Sequence, residues 1–410
     1  YCWRTRLTRG VLGGLDAPLI DADRLTVGKM LQEKGYQTAC VGKWHLGRTF
    51  SLVEADQPVS VENIDWGKPL INGPLQQGFD YYFGRAEPAW TFIENDRVLA
   101  LPTETLDLSH IGPYLIGPNN IKGVKAPGYE HEQMLPSFAE KAAAFIDRAS
   151  QEDRPFFLYF TPMAPHKPIV PNKEFHGKSD AGIYGDFVCE VDWAIGEVLD
   201  ALERNGVAED TLVIFTSDNG PENIAYDRIQ EHGHYSIGAF RGVKRDTWEG
   251  GHRVPFLARW PGHIEAGGVR DEVICLSDLM ATVAAMVEYD LPPDAAEDSC
   301  DILPALLDED LDGPIREATV HHAAGGSLAI RQGEWVLIDA ESGDNNREPD
   351  WFREEREVEA HSEPGELFNL AEDPAERRNL YGEHPDKVAG LKGLLDRYRE
   401  EGRSVPVRNS

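Results

Sequence analysis

Three short apolar runs, each closing on a cluster of polar residues, limit what this chain can fold into. They are "YQTACVG" (36–42) ahead of Lys43-Trp44-His45, "PFFLYF" (155–160) ahead of "TPMAPHKP", and "TLVIFTS" (211–217) ahead of Asp218-Asn219-Gly220. Runs of this length, rich in β-branched and aromatic residues, suit strands covered on both faces. Helical patterns lie between them. "PSFAEKAAAFIDRA" (136–149) directly precedes the second run. "YGDFVCEVDWAIGEVLDALERNG" (184–206) places Phe187, Val191, Ile195, Leu199 and Leu202 on one stripe, and Gly206 is a natural C-terminal stop. Strands alternating with helices predict an α/β fold with a mixed, largely parallel central sheet flanked by helices. Ligands of such sheets bind beyond the carboxyl ends of the strands. Those ends carry Lys43, His45, His166, Asp218 and Asn219.

At 410 residues the chain exceeds what one core usually serves. We expect a main domain over 1–320 and a C-terminal subdomain over 321–410. In the latter, "SLAIRQGEWVLI" (327–338) has two strand-like runs around a glycine turn, and a helix is expected over 385–401. The small subdomain is therefore read as antiparallel α+β. Residues 50–130, rich in Gly, Pro and aromatics, read as long loops over the sheet. Tyr81, Tyr82, Phe83, Trp90 and Phe92 in that stretch suit stacking on sugar rings and suit buried loop anchors at least as well.

Charge narrows the partners. With 71 acidic against 40 basic residues the net charge is −31, which repels nucleic acid at long range. Against such a background an anionic substrate needs locally concentrated cations, so individual lysines become informative. No apolar run reaches the roughly 18 residues of a membrane span. The five cysteines are widely spaced and contain no CxxC, which excludes a zinc knuckle and a dense disulfide framework.

In "GKWHLG" (42–47), Lys43 and His45 sit two apart, a spacing that turns extended side chains the same way. An ammonium can hold an anion while an imidazole moves a proton; a surface lysine beside a structural histidine fits equally. In "TSDNGP" (216–221), Asp218 and Asn219 offer hard oxygens suited to Ca²⁺ or Mg²⁺, although Asp-Asn-Gly is also a common turn. In "RGVKRDTWEGGHRVPFLARWPG" (241–262), Lys244 lies in a basic, Gly-bounded loop, and Arg253 is expected to pair with Glu249. His166, between prolines in "APHKP", suits a positioned acid or base.

Taken in order, "GKWHLG", "FFLYFTPMAPHKP", "TSDNGP", "KRDTWEGGHRVPFLARWPG" and "ELFNLAEDPAERRNL" resemble the arylsulfatase-type sulfatases of the alkaline phosphatase superfamily, nearly from end to end. The resemblance implies an alkaline-phosphatase-like fold and release of sulfate from a sulfated carbohydrate or small sulfate ester. It gives Asp218 and Asn219 as calcium ligands. Lys43 and Lys244 would hold the sulfate oxygens, His45 would assist nucleophile turnover, and His166 would protonate the leaving alcohol. His234, in "EHGHYSIGAFRG", is a weaker candidate for substrate contact. A periplasmic or secreted location is implied as well.

Two parts of the family pattern are not where the family has them. The family nucleophile is a formylglycine made from C/S-x-P-x-R, which the resemblance places ahead of the first of these motifs; C-x-P-x-R does not occur, and S-x-P-x-R occurs once, as Ser404-Val405-Pro406-Val407-Arg408 at the opposite end of the chain. The Asp-Asp pair that supplies further calcium ligands does not occur. Cys2-x-x-x-Arg6 has the spacing but lacks the proline. Both parts are expected upstream of Tyr1, which would leave this stretch of chain inactive alone. A non-catalytic binder of sulfated glycans and a phosphoester or phosphonate hydrolase are the alternatives.

Overall fold

A computed structural model describes all residues except 112–114, 116–121 and 408–410. The chain divides into two compact units, Leu12–Thr211 and Tyr1–Val11 with Leu212–Ser410, so residues on both sides of position 320 share one unit.

The unit Leu12–Thr211 is built on a five-stranded sheet. Its strands are β1 (Gln37–Gly42), β2 (Tyr81–Arg85), β3 (Phe92–Glu94), β4 (Arg97–Val98) and β7 (Phe156–Thr161), in the order β4-β3-β2-β1-β7. Strands β5 (Glu104–Asp107) and β6 (Lys122–Lys125) form a separate antiparallel pair. In the larger sheet, β2, β1 and β7 are mutually parallel, with Ala39 opposite both Tyr81 and Leu158. β1 is buried along its whole length, as its uninterrupted apolar run requires. The expected strand at 155–160 is β7, one residue later.

β2 is a finding the sequence did not suggest, since it lies inside the stretch read as loops. Its aromatic residues are core, not exposed platforms. Tyr82 and Phe83 are buried, and so is Trp90 in the turn that follows. Phe83 packs on Phe138 and Met134 of the helix Met134–Ala149 and on Val41 of β1. This helix covers the sheet with its neighbour Gly182–Arg204. The buried face of the second helix runs through Phe187, Glu190, Ala194, Ala201 and Leu202, while Val191, Ile195 and Leu199 are only half-buried. The expected stripe is thus rotated, and a carboxylate lies inside it. Gly206 ends the helix with φ +69°.

In the other unit, the third apolar run becomes β8 (Val213–Thr216), paired antiparallel with β9 (Phe256–Arg259). A four-stranded antiparallel sheet follows: β10 (Thr319–His322), β11 (Leu328–Gln332), β12 (Trp335–Ile338) and β13 (Glu366–Asn369). Gly333 makes the expected hairpin turn at φ +57°. The sheet's residues alternate between its faces with period two. Val320, Ile330, Leu337 and Leu367 meet Val388, Leu391, Leu394 and Leu395 of the helix Pro385–Glu401. Ala329, Val336, Ile338 and Phe368 meet Trp248. Among the described residues no helix is long and apolar enough to cross a membrane.

Candidate functional site

The parallel order β2-β1-β7 sets three strand ends side by side, and each releases a chemically capable segment. β1 ends at Gly42, whose φ is +125°; a Cβ there would stand 2.0 Å from the Thr161 carbonyl oxygen. Only glycine permits this approach. It lets the Lys43 amide donate to the Thr161 carbonyl at 2.7 Å, while Thr161 Oγ1 donates to the Lys43 carbonyl at 2.9 Å. The backbone of Lys43 is thereby tied to the end of β7.

Five residues beyond Thr161 stands His166. Its amide donates to the Met163 carbonyl at 3.0 Å, and its Nδ1–H donates to the Lys167 carbonyl at 2.6 Å. With Nδ1 committed, proton exchange by this ring runs through Nε2.

β2 contributes two residues that the sequence reading passed over. Arg85 is buried: its Nε faces Met163 Sδ at 3.4 Å, its Nη2 donates to Glu87 Oε1 at 2.8 Å, and its guanidinium lies 4.4 Å from the Trp90 ring. The other oxygen of Glu87 is 3.8 Å from His45 Nε2. Burial pushes the Glu87 carboxyl up, but Arg85, Lys43 and His45 together outweigh it and hold the group below the usual carboxylate range. An ionised carboxylate therefore stands beside the Lys43–His45 pair. The signal for it was the "GRAEP" that ends a strand hidden in a Gly- and Pro-rich stretch.

In the other unit the loop after β8 carries Asp218, which is exposed, and Asn219, half-buried; Ser217 Oγ donates to the Asn219 carbonyl at 3.1 Å. Gly220 follows. Its amide donates to the Gly251 carbonyl at 3.0 Å, and a Cβ on it would lie 1.9 Å from the Gly250 carbonyl oxygen. Gly220→Ala is therefore expected to lower stability by about 1–3 kcal/mol through overpacking against backbone. A thermal melt matching that of the unaltered chain would refute the tight approach.

Lys244 joins the same loop, its amide donating to the Pro221 carbonyl at 2.8 Å. Its Nζ is 3.3 Å from Glu222 Oε1, and Arg245 donates to both Glu222 oxygens at 2.8 and 3.0 Å. Burial raises the Glu222 carboxyl, while Lys244 and Arg245 more than offset that and keep it low. Glu222 is another residue the sequence reading missed. Arg253 pairs with Glu249 at 3.0 Å, as expected. His234 follows the helix Ala225–His232; burial lowers its pKa, with Arg228 and His232 adding to the effect.

The structure thus brings Lys43, His45 and His166 onto neighbouring strand ends of one unit, and the Asp218–Asn219 loop against Lys244 in the other. The metal set is incomplete. Asp218 and Asn219 give two hard oxygens where Ca²⁺ takes six to eight. Among the described residues, no group of three or more His, Cys, Asp or Glu is placed to hold an ion. These residues do not form a metal site by themselves. Calcium is expected to bind the 410-residue chain weakly, with a Kd of about 1 mM or above. Calorimetric titration giving micromolar affinity would show that other donors complete the site.

Comparison with known proteins bears on this arrangement. The family model described as Sulfatase matches residues 9–289. The N-acetylgalactosamine-6-O-sulfatase of Bacteroides thetaiotaomicron is 31% identical over 437 residues, covering 97% of this chain and 81% of that protein. The N-acetylgalactosamine-6-sulfatase of Homo sapiens is 31% identical over 406 residues, covering 95% of this chain and 70% of its own. A solved Bacteroides thetaiotaomicron structure from the metabolism of glycosaminoglycans superposes with a TM-score of 0.78 at 28% identity, covering 97% of this chain and 86% of that one. Its α/β architecture is accordingly of the alkaline-phosphatase-like kind. The chain belongs to the sulfatase family of the alkaline phosphatase superfamily.

Proposed function

We propose that the protein hydrolyses sulfate esters of sulfated sugars, with the 6-sulfate of N-acetylgalactosamine as its substrate class. The observation that carries this reading is the 31% identity to an N-acetylgalactosamine-6-O-sulfatase, extending over 97% of the chain. Lys43 and Lys244 hold sulfate oxygens, where fixed positive charge acts most strongly as negative charge shifts in the transition state. His45 assists turnover of the nucleophile. His166 gives a proton through Nε2 to the departing sugar oxygen as its bond to sulfur breaks, the alcohol leaving neutral. His234 contacts the substrate.

Sulfatase membership implies a metal ion. In this reading it is calcium, held by Asp218 and Asn219 with donors outside the 410 residues, and it supplies positive charge beside the sulfate when bound. A formylglycine, which the family resemblance places upstream of these residues, would supply the attacking oxygen. A periplasmic or secreted location belongs to the same proposal.

A second reading, a non-catalytic binder of sulfated glycans, is favoured by one observation: the 410 residues contain no C-x-P-x-R, and their single S-x-P-x-R, at Ser404–Arg408, follows the final helix instead of preceding the first strand. The two readings separate in one experiment. Sulfate release from N-acetylgalactosamine 6-sulfate is measured by ion chromatography, with and without calcium. The 410-residue chain is compared with a form extended upstream by its own genomic sequence. Release by the extended form alone is the expected result. Binding without release in both forms would establish the binder. Release by the 410 residues alone would overturn the placement of the nucleophile.

A further inference from the structure

The helix Gly182–Arg204 turns two carboxylates inward. Asp186 and Glu190, four residues apart, lie on one helix face, and both are buried, Glu190 with 0% of its surface exposed. Both hold backbone of the segment that follows His166. Glu190 Oε2 accepts from the Asn172 amide at 2.8 Å. Asp186 accepts from the amides of Gly177 at 2.8 Å and Ser179 at 3.0 Å. Asn172 spreads the anchor further. Its side chain accepts from the Glu174 amide at 3.2 Å and donates to the Glu132 carbonyl at 3.4 Å. His176 Nε2–H donates to the Pro171 carbonyl at 3.2 Å. Between His166 and Asn172 the chain has little freedom, because Pro168 and Pro171 fix φ and Ile169 is buried. A tether at Asn172 is therefore felt at His166.

The Glu190 tether carries a penalty. Its Oε1 is buried with no hydrogen-bond partner among the described residues. Burial pushes the carboxyl up to about 7, with Glu132 adding to the rise and the Asn172 amide and His176 opposing it. One neutral donor does not offset the burial of a carboxylate, and an apolar side chain of similar size would be the more stable choice. The cost is accounted for by placement. We propose that Glu190 is a positioning residue for His166, fixing through Asn172 the far end of the loop that carries it. This rests on the reading of His166 as the acid that protonates the leaving alcohol.

The test uses two substitutions. Glu190→Ala removes the acceptor, and Glu190→Gln keeps an acceptor oxygen without the charge. In the 410-residue chain, hydrogen–deuterium exchange of peptides spanning 166–176 is expected to quicken about tenfold in Glu190→Ala and to return to near the original rate in Glu190→Gln. Peptides of the helix Met134–Ala149 should not change. In the extended, active form, Glu190→Ala is expected to slow N-acetylgalactosamine 6-sulfate about tenfold, an activated aryl sulfate much less, and Glu190→Gln to restore the rate. Unchanged exchange over 166–176 overturns the proposal. Equal losses on both substrates, while His166→Ala remains selective, also overturn it. If the loop loosens but His166→Ala is itself unselective, the acid reading fails and the tether stands. Should Glu190→Ala unfold the chain, Glu190→Leu, closer in size, carries the same comparison.

Discussion

Replacing Lys244 by alanine is expected to lower sulfate release by the extended form about 10²- to 10³-fold, with little change in thermal stability. The magnitude is that of removing one preorganised charge from a transition state, about 2.7–4 kcal/mol. The structure explains why the fold should survive. Lys244 faces the half-buried Glu222, and a carboxylate withdrawn from water that loses its only cation is destabilising. Glu222, however, keeps Arg245, which donates to both of its oxygens at 2.8 and 3.0 Å. The backbone contact from the Lys244 amide to Pro221 does not depend on the side chain. Activity and stability thus separate in this variant. Rates are read by ion chromatography and stability by a thermal melt. A rate near that of the unaltered protein would remove Lys244 from the sulfate site.

Replacing His166 by alanine is expected to be selective. Hydrolysis of N-acetylgalactosamine 6-sulfate should fall about 10²- to 10⁴-fold, the usual worth of a positioned acid, while an activated aryl sulfate loses far less. A sugar alcohol is a poor leaving group and needs a proton as it departs; a nitrophenolate does not. The loop geometry favours the assignment, since Nδ1 is committed to the Lys167 carbonyl at 2.6 Å and the exchangeable proton is placed on Nε2. Comparing kcat/KM for the two substrates in both proteins checks it, and equal losses would assign His166 to binding or structure.

How much of this was legible in the sequence depends on how each element declares itself. β1 and the helix Met134–Ala149 announce themselves by period and composition, because their apolar residues are also their buried ones. β2 does not. It holds Gly84 within an aromatic run and is followed by Glu87-Pro88, features that also mark loops. Its loss cost the sequence reading Arg85 and Glu87, since strand-end residues can be named only after the strand is known. The third run was legible as a strand, but its antiparallel partner Phe256–Arg259 is set by a contact across about 40 residues that no local pattern records. Glu190 and Glu222 are a different case. Both are acids in a strongly acidic chain, and nothing local distinguishes the buried Glu190 or the half-buried Glu222 from the many solvated carboxylates.

Both lysines proposed to hold sulfate already have a carboxylate beside them, Glu87 near Lys43 and Glu222 at 3.3 Å from Lys244. On the proposed reading, an arriving sulfate does not meet a bare cation; it exchanges places with a resident anion. A tethered carboxylate has an effective local concentration in the millimolar range or above, and chloride, with a single point of contact, competes poorly against it. A sulfate ester, offering several oxygens and a sugar to bind, competes well. On that reading the two glutamates act as a filter, favouring a sulfate ester with several contacts over a simple anion at each lysine.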